Sequence, residues 1–323
     1  MSRDLAFCDD VPVASREHGQ VVVIGEALVD LVMPDSSPIE AVLGGAPFNT
    51  ARALVRLGGR VELCATISSD RFGGSLLSAL AADGVGVAMV ERCDAPTTLA
   101  AAELSIGGSA EYRFYIEGTS APRLERRTID PAPAWLFTGG LGLVLQPLAD
   151  RVIEIVDALP ASARVMVDVN ARPRVIDDPQ AHRARVEHIA GRCDVMKVSD
   201  EDLSNLFPGS TIDSGVERLL AAGARLVVIT AGGQSVRAIG PDIEIEVPVP
   251  STDVVDTIGA GDTFDAGMLS WWTEPAHCDL DPFEPIAIRS AIGRGIAAAS
   301  VVVGRRGADP PRWDELPGSG AEK

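Results

Sequence analysis

Short apolar runs, separated by longer segments with helical patterning, constrain the fold more than any other feature of this sequence. Such runs are typical of strands that are buried on both faces of a parallel sheet. Hydrophobic residues make up 46 % of the chain but aromatic residues only 4 %, so Ala, Val, Leu and Ile must build the core. We therefore predict an α/β fold in which helices cover a mainly parallel sheet. The predicted strands are 20–25, 61–66, 85–90, 134–139, 163–167, 194–198 and 226–230.

The remaining segments predict helices and two hairpins. One hairpin joins 97–106 to 111–116 through Gly107 and Gly108, and a second joins 235–239 to 243–249. No repeat or low-complexity linker interrupts residues 21–310, so we predict one domain after a loose tail at residues 1–20. The predicted helices are a segment ending near 57, then 70–82, 148–159, a segment beginning near 199, 260–272 and 285–302.

The charge balance excludes several classes of partner. A net charge of −18 argues against nucleic acid and against anionic membrane surfaces. No apolar run is expected to span a membrane, and the first 20 residues lack the apolar core of a signal peptide. An anionic nucleotide is not excluded, because helix N-termini bind phosphate within acidic proteins.

The cysteines and histidines indicate a reduced, metal-poor interior. The cysteines contain no Cys-x-x-Cys pair, and we predict that they are reduced in a cytoplasmic protein. The histidines show no metal-ligand spacing, so a zinc site is not expected. These residues are Cys8, Cys64, Cys93, Cys193, Cys278, His18, His182, His188 and His277.

A glycine-rich segment, residues 255–264, precedes a predicted helix. Gly259 and Gly261 allow backbone to approach a ligand, and the helix start offers amides to an anion. Asp262 has two interpretations on this pattern. An acid favours a helix N-terminus on electrostatic grounds alone, and a carboxylate beside bound phosphate can accept the proton of an attacking hydroxyl. No P-loop occurs, and the dinucleotide fingerprint lacks its third glycine.

The sequence Asp-Thr-Ile-Gly-Ala-Gly-Asp-Thr-Phe at 256–264 resembles the second signature of the ribokinase-like (PfkB) carbohydrate kinases. The resemblance implies a three-layer α/β/α sandwich with a small β-lid, built here from about 31–43 and 97–118. It also implies that Asp262 is the catalytic base. The amides of Gly259, Ala260 and Gly261 would form the anion hole for the transferred phosphoryl group.

A second match concerns the sugar. Gly44-Gly45-x-x-x-Asn49 resembles the family's first signature, although the two glycines are also compatible with a simple turn before Pro47. The resemblance assigns Gly44, Gly45, Asn49 and Asp30 to sugar recognition, and Asp30 could otherwise be an ordinary loop acid. The aromatic stripe of the first hairpin suggests sugar contact by Phe114, although packing is the commoner role of such a stripe.

The remaining matches concern phosphate, nucleotide and cations. Asp-x-Asn-x-Arg-Pro at 168–173 resembles a fructokinase motif in which Asp and Asn lie near phosphate and Mg²⁺ and the Arg reaches phosphate or substrate. Ser199 and Asp202 stand where the family has Asn and Glu near Mg²⁺. They also form a plausible helix cap, and Glu201 could substitute for Asp202. The positions assigned to phosphate, substrate or nucleotide are Asp168, Asn170, Arg172, Lys197, Ser199, Asp202, Thr230, Gly232, Gly233 and Gly307. A monovalent cation is assigned to Asp256 and Ile258.

The matches together imply an ATP- and Mg²⁺-dependent sugar kinase, with K⁺ as a further cation and a homodimer formed through the lid. Pro47-Phe48-Asn49 resembles fructokinases more than ribokinases, which favours fructose as the substrate. Ribose, 2-keto-3-deoxygluconate and nucleosides remain alternatives. A different possibility is a catalytically silent, sugar-binding regulatory protein that keeps the fold.

Overall fold

The computed structural model describes residues 19–33, 38–104, 110–277 and 280–317. Most of the predicted tail at 1–20 lies outside these ranges, as do Cys8, His18, Cys278 and the predicted hairpin turn at Gly107 and Gly108. The strands, in chain order, are β1 (Gln20–Ile24), β2 (Leu28–Met33), β3 (Glu40–Gly44), β4 (Arg60–Cys64), β5 (Thr66–Ser68), β6 (Glu91–Cys93), β7 (Leu99–Leu104), β8 (Ala110–Tyr115), β9 (Trp135–Gly139), β10 (Arg164–Asp168), β11 (Val195–Ser199), β12 (Leu226–Thr230), β13 (Val236–Gly240) and β14 (Ile243–Val247).

The α-helices alternate with these strands through most of the chain, as the sequence predicts. They are α1 (Ala46–Arg56), α2 (Arg71–Asp83), α3 (Leu148–Ala158), α4 (Pro179–Ala190), α5 (Asp200–Leu206), α6 (Ile212–Ala222), α7 (Ala260–Thr273) and α8 (Pro285–Val302). Sequence analysis did not predict α4 or α6. Their caps were recognisable, because Asp178 before Pro179 and Thr211 before the second helix both accept amides of the first turn.

An eight-stranded sheet with the order β14-β13-β12-β11-β10-β9-β1-β4 forms the centre of the molecule. The strands from β4 to β12 in this order pair in parallel, and the β13–β14 hairpin adds an antiparallel edge. Parallel strands bring their carboxyl ends to one edge, where open α/β sheets bind ligands. The segments that follow β1, β9, β10, β11 and β12 therefore meet at that edge.

Two hydrophobic cores lie on opposite faces of this sheet. Helices α1, α2, α7 and α8 cover one face, and α3, α4, α5 and α6 cover the other. Since side chains alternate along a strand, Val23 of β1 enters the first core while its neighbour Val22 enters the second. The predicted three-layer α/β/α sandwich is confirmed.

A separate four-stranded sheet has the order β3-β2-β7-β8. It contains the predicted hairpin, because β7 and β8 pair antiparallel, and it also contains β2, which carries Asp30. Its strands correspond to the segments 31–43 and 97–118 that were expected to build the lid.

Two predicted strands differ from the structure. Residues 61–66 do not form one strand, because the chain breaks after Cys64 into β4 and β5. The strand predicted at 85–90 was wrong: this segment makes only an isolated bridge, between Gly86 and Glu62. The Glu62 carboxylate accepts the Ala88 amide at 3.1 Å and holds the segment in a turn. The strand in this region is β6, which pairs in parallel with β5.

Helix α8 is long and apolar enough, by length and composition, to cross a membrane, which sequence analysis did not expect. Core helices of globular proteins share this length and composition. Helix α8 packs along α7 and contributes Ile288, Ile292 and Ile296 to the first core. Its apolar composition is therefore explained by its place in the helical layer.

Candidate active site

The glycine-rich segment forms the turn into α7, as predicted. Gly259 is the N-cap residue and has a left-handed conformation with φ +77°, which a side chain would strain. A Cβ at this position would also lie 2.8 Å from the Cβ of Ala308. The amide of Ala260 donates to the Thr257 carbonyl at 3.2 Å, so it is engaged in the turn. The start of α7 thus presents first-turn amides without a side-chain cap, which suits an anion.

Asp262 lies in the first turn of α7 and is buried, with 8 % of its surface exposed. The Asn49 side-chain amide of α1 donates to Asp262 Oδ2 at 2.9 Å. Burial raises the pKa of Asp262 to about 6, and the Asn49 bond and the charges of Arg172 and Lys197 oppose this rise. Such a carboxylate is poised to exchange a proton near neutral pH. The structure therefore joins two residues that are 213 positions apart in the sequence.

Asp30 lies in β2 and pairs with Val42 in the middle of β3. A Cβ on Gly44 would collide with Asp30 Oδ2, so this glycine leaves room for the Asp30 carboxylate. Burial raises the pKa of Asp30 to about 6, and the Arg172 guanidinium opposes the rise. Gly45 is the N-cap residue of α1 and has φ +106°.

Arg172 is exposed and donates to the carbonyls of Asn170 and Ala171. Its positive charge acts on the carboxylates of Asp30 and Asp262. Asn170 has φ +38°, an unusual value that Asn tolerates better than most residues. The predicted phosphate loop 168–173 is thus placed beside the predicted sugar residues.

Phe114 lies in β8 opposite Ala100 and is half-buried. It packs against the second core, which supports the packing interpretation of the aromatic stripe. Contact with a sugar stays a prediction for this residue.

Asp168, the last residue of β10, is the cross-strand neighbour of Lys197 in the middle of β11. The Lys197 Nζ atom lies 3.0 Å from Asp168 Oδ2, and both side chains are buried. The Asp168 Oδ1 atom is buried without a hydrogen-bond partner. A Cβ on Gly261 would stand 3.3 Å from Lys197 Nζ, so the ammonium faces the first turn of α7.

Ser199 and Asp202 form a capping box at the start of α5. The Ser199 hydroxyl accepts the Asp202 amide at 2.9 Å, and Asp202 Oδ2 accepts the Ser199 amide at 2.8 Å. The other oxygen, Asp202 Oδ1, accepts the amide of Ala171 at 2.7 Å. Both oxygens therefore hold backbone, and these contacts favour the capping interpretation over a direct metal ligand. Glu201, the alternative, is exposed.

A cavity of about 510 Å³ opens beside the start of α7. Such a volume falls in the range of small-molecule sites. Six residues predicted to contact nucleotide or phosphate line it, together with residues of α8 that sequence analysis did not identify. The predicted residues are Lys197, Thr230, Gly232, Gly233, Ala260 and Gly261, and the α8 residues are Ile296, Ala299 and Ser300.

Asp256 connects the glycine-rich segment to the tail of the chain. Its carboxylate accepts the amide of Ile258 at 3.0 Å and that of Gly307 at 2.8 Å. Three predicted residues are thus brought together, and the contact closes the loop at 304–308 over the turn into α7.

Two buried acids at the site were missed by sequence analysis. Glu26 follows β1, and burial raises its pKa to about 7, with the Asp262 carboxylate also raising it. Glu26 Oε1 accepts the Ala46 amide at 3.2 Å, while Oε2 has no partner. Asp265 lies one turn after Asp262, and burial and Asp168 raise its pKa well above the ordinary range. Both had a signal: Glu26 follows a buried strand, and Asp265 shares a helix face with Asp262.

No group of three or more His, Cys, Asp or Glu side chains within the described ranges is arranged to hold a metal ion. The orphan Asp168 Oδ1 is nevertheless an oxygen donor of the kind that Mg²⁺ takes, alongside water and nucleotide phosphates.

Known carbohydrate kinases are similar to this chain in sequence and in fold. A fructokinase of Rhizobium leguminosarum bv. trifolii is 36 % identical over 258 residues, which are 77 % of this chain and 78 % of the relative. The crystal structure of a fructokinase from Vibrio cholerae O395, with fructose, ADP and calcium ion bound, has a TM-score of 0.79 at 25 % identity. It covers 90 % of this chain and 94 % of that chain. An aminoimidazole riboside kinase from Salmonella enterica shares the fold, with a TM-score of 0.80 at 23 % identity over 92 % of this chain and 97 % of that chain.

The model of the pfkB family carbohydrate kinases matches residues 19–315, which include every predicted site residue. The resemblance inferred from the motifs is therefore confirmed. The family model matches most of the chain, and the buried acid, the glycine-rich turn and the cavity lie at one sheet edge. The chain therefore belongs to the pfkB family of carbohydrate kinases and is an ATP-dependent sugar kinase.

Proposed function

We propose that this sugar kinase phosphorylates fructose on a primary hydroxyl group, with Asp262 as the general base. The observation that carries the proposal is the buried Asp262 carboxylate, held by Asn49 at 2.9 Å beside the anion-binding start of α7. The fructokinase of Rhizobium leguminosarum bv. trifolii, 36 % identical, supports fructose. The fold alone does not choose the substrate, because a riboside kinase shares it.

Proton transfer is the first role of the site. Asp262 accepts the proton of the sugar hydroxyl as its oxygen attacks the terminal phosphorus of ATP, and ADP leaves. The Asn49 amide fixes one carboxylate oxygen, so the other is directed to the substrate. A positioned base of this kind contributes roughly 10²–10⁴-fold to the rate.

Charge stabilisation is the second role. First-turn amides of α7, at Gly259, Ala260 and Gly261, bind the oxygens of the transferred phosphoryl group. The Ala260 amide must leave the Thr257 carbonyl to do so. Lys197 adds a positive charge beside Gly261, and Arg172 adds another from the 168–173 loop.

Sugar recognition is the third role of the site. It uses hydrogen-bond acceptors and donors from β2, from α1 and from the junction of β3 with α1. Asp30 accepts hydrogen bonds from sugar hydroxyls, Asn49 and the Gly44–Gly45 backbone orient the ring, and Phe114 contributes an apolar wall. The β3-β2-β7-β8 sheet carries Asp30 and Phe114 and acts as a lid that excludes water, which stops hydrolysis of ATP. We infer that two copies of the chain associate through this lid.

The nucleotide occupies the 510 Å³ cavity, with Thr230, Gly232 and Gly233 on one wall. Asp168 would hold Mg²⁺ through its unpartnered oxygen, Asn170 would lie near phosphate, and the ion would neutralise charge on the nucleotide phosphates. Asp202 supports the 168–173 loop by accepting the Ala171 amide, and Ser199 caps the helix that carries Asp202. Asp256 would contribute its carboxylate and Ile258 its backbone to a K⁺ site, which Gly307 of the loop at 304–308 closes.

The acidic charge and the substrates are consistent with a cytoplasmic enzyme that binds neither nucleic acid nor membrane.

The test is ADP release with ATP and Mg²⁺ across fructose, ribose, 2-keto-3-deoxygluconate and adenosine, each with K⁺ or Na⁺. We expect the highest kcat/KM with fructose and a higher rate in K⁺. Turnover of another acceptor at higher kcat/KM would replace fructose as the substrate. Sugar and ATP binding without ADP release would support the silent regulatory alternative instead.

A further inference from the structure

Arg56 lies in the last turn of α1 and bonds the C-terminal loop, residues 304–310. Its Nη1 atom donates to Asp309 Oδ1 at 2.6 Å and to the Pro310 carbonyl at 2.8 Å. Its Nε atom donates to Asp83 Oδ1 at 2.8 Å, and only 13 % of the side chain is exposed. Because three acceptors fix this guanidinium, it can hold the C-terminal loop to a helix from the first part of the chain.

The C-terminal loop also packs against the turn into α7. The Asp256 carboxylate accepts the amide of Gly307 from the loop at 2.8 Å and the amide of Ile258 from the turn at 3.0 Å. A Cβ on Gly259 would lie 2.8 Å from the Cβ of Ala308, so the loop touches the N-cap residue of α7. Since no side chain caps this helix, the shape of the turn depends on such neighbours.

Arg52 provides an internal comparison. It lies one turn nearer to Asn49 on α1, and its Nε atom donates to Asp83 Oδ2 at 2.6 Å. Its side chain is 15 % exposed, close to the value for Arg56. Among the described residues, the hydrogen bonds of Arg52 reach Asp83 alone, so this arginine joins α1 to α2 without bonding the C-terminal loop.

We propose that Arg56 is a positioning residue that holds the C-terminal loop against the Gly259 turn and so keeps the anion-binding start of α7 in the conformation that binds the ATP phosphates. The proposal rests on the proposed function, since it assumes that phosphate binds this turn. Arg56 does not line the nucleotide cavity, and it acts through the loop. If the loop is released, only a fraction of the molecules keeps the binding conformation, and the apparent Kd rises by the inverse of that fraction.

Arg56→Gln and Arg52→Gln test this assignment as a matched pair. Hydrogen exchange measured by mass spectrometry follows the C-terminal loop in the free protein. Calorimetry measures the Kd of fructose and the Kd of Mg²⁺ with an ATP analogue whose β–γ bridge cannot be hydrolysed. Both substitutions remove a bond to Asp83, and glutamine is a good helix former, so the helix itself is preserved.

We expect Arg56→Gln to speed exchange in the C-terminal loop and to weaken the analogue roughly threefold to tenfold. The effect is moderate because the Asp309 side chain is 56 % exposed, and exposed ion pairs are worth little. Arg52→Gln should leave the exchange of the loop unchanged and the analogue Kd within about twofold of the wild-type value, because it does not bond the loop. The fructose Kd should stay within about twofold in both variants, since the lost contact concerns phosphate.

Asp309→Ala removes one of the two loop acceptors and leaves the Pro310 carbonyl. It should also speed exchange in the loop, with a smaller loss of analogue affinity of about twofold to threefold. The double variant with Arg56→Gln should bind the analogue no more weakly than Arg56→Gln, because both residues act through one contact. Asp309→Ala takes the place of Arg56→Gln if the glutamine variant does not fold.

Three results would overturn the inference and leave the proposed function intact. They are unchanged exchange of the loop in folded Arg56→Gln, an unchanged analogue Kd in that variant, and equal losses of analogue affinity in the two arginine variants, which would assign the effect to α1 itself. Failure of the wild-type chain to bind the analogue would overturn the proposed function instead. The exchange comparison would then still decide whether Arg56 holds the loop.

Discussion

The starts of α5 and α7 look alike in sequence and differ in chemistry. Each has an acid in the first helical turn, Asp202 or Asp262, and each lies at the ligand-binding edge of the sheet. At α5 the Ser199 side chain caps the helix, and Asp202 accepts two backbone amides. At α7 the cap is a glycine with no side-chain bond, and a side-chain amide from another helix holds Asp262. A helix-start acid is structural when backbone satisfies it, and it is available for chemistry when only one oxygen is held.

Exchanging each acid for its amide gives the largest expected contrast. Asp262→Asn should lower kcat by roughly 10²–10⁴-fold, because the base is lost while the fold is kept. Asp202→Asn is the matched control: it loses one of its two backbone acceptors and some stability, but it should lower kcat far less, since its oxygens hold only backbone. Steady-state kinetics with circular dichroism measures both. A loss under about tenfold in folded Asp262→Asn would exclude this acid as the base.

A methyl group in the anion-binding turn should give the next largest effect. Gly261→Ala places a Cβ 3.3 Å from Lys197 Nζ, so the ammonium must shift by a few tenths of an ångström. We expect kcat/KM for ATP to fall by up to roughly tenfold, because misplaced catalytic groups lose rate steeply. Gly233→Ala is the control in the same cavity, because its added Cβ meets nothing within 4 Å. Equal kinetics for the two variants would show that the turn does not hold phosphate.

The pH dependence of kcat/KM should report the ionisation of Asp262. Asp262 acts as a base only when ionised, and its pKa is raised to about 6. We therefore expect kcat/KM to fall about tenfold for each pH unit below this value. Glu26→Gln should leave this midpoint nearly unchanged, because the pKa of Glu26 is raised to about 7 and its carboxyl is mostly neutral where Asp262 titrates. A midpoint near that of a free aspartic acid in the wild-type enzyme would contradict the burial argument.

The smallest expected change concerns the α5 cap. Ser199→Ala should cost about 1 kcal/mol of stability, because the Asp202 amide loses its acceptor. Activity at saturating Mg²⁺ should stay near the wild-type value, since this hydroxyl serves the helix. Thermal melting and a titration of rate against Mg²⁺ measure the two effects. A large increase in the Mg²⁺ requirement, without loss of stability, would assign Ser199 to the metal.

Much of the fold follows from local patterns. Short apolar runs gave the main strands of the sheet because strands buried on both faces need continuous apolarity. The helix beginning at Ala260 was correctly bounded because its glycine turn is a local feature. The strand predicted at 85–90 was wrong because a long-range contact, from Glu62 to the Ala88 amide, decides the conformation there.

By itself, the sequence determined the order of the motifs, the fold class and the identity of the candidate base. Only the tertiary structure decided which acids meet. Glu26 and Asp265 became visible as site residues because burial and neighbouring carboxylates raise their pKa values. Desolvation and charge–charge interactions depend on spatial neighbours that are far apart in the chain, as Asn49 and Asp262 are. Spatial neighbours give both oxygens of Asp202 a backbone amide, whereas Asn49 holds only one oxygen of Asp262 and leaves the other for a substrate.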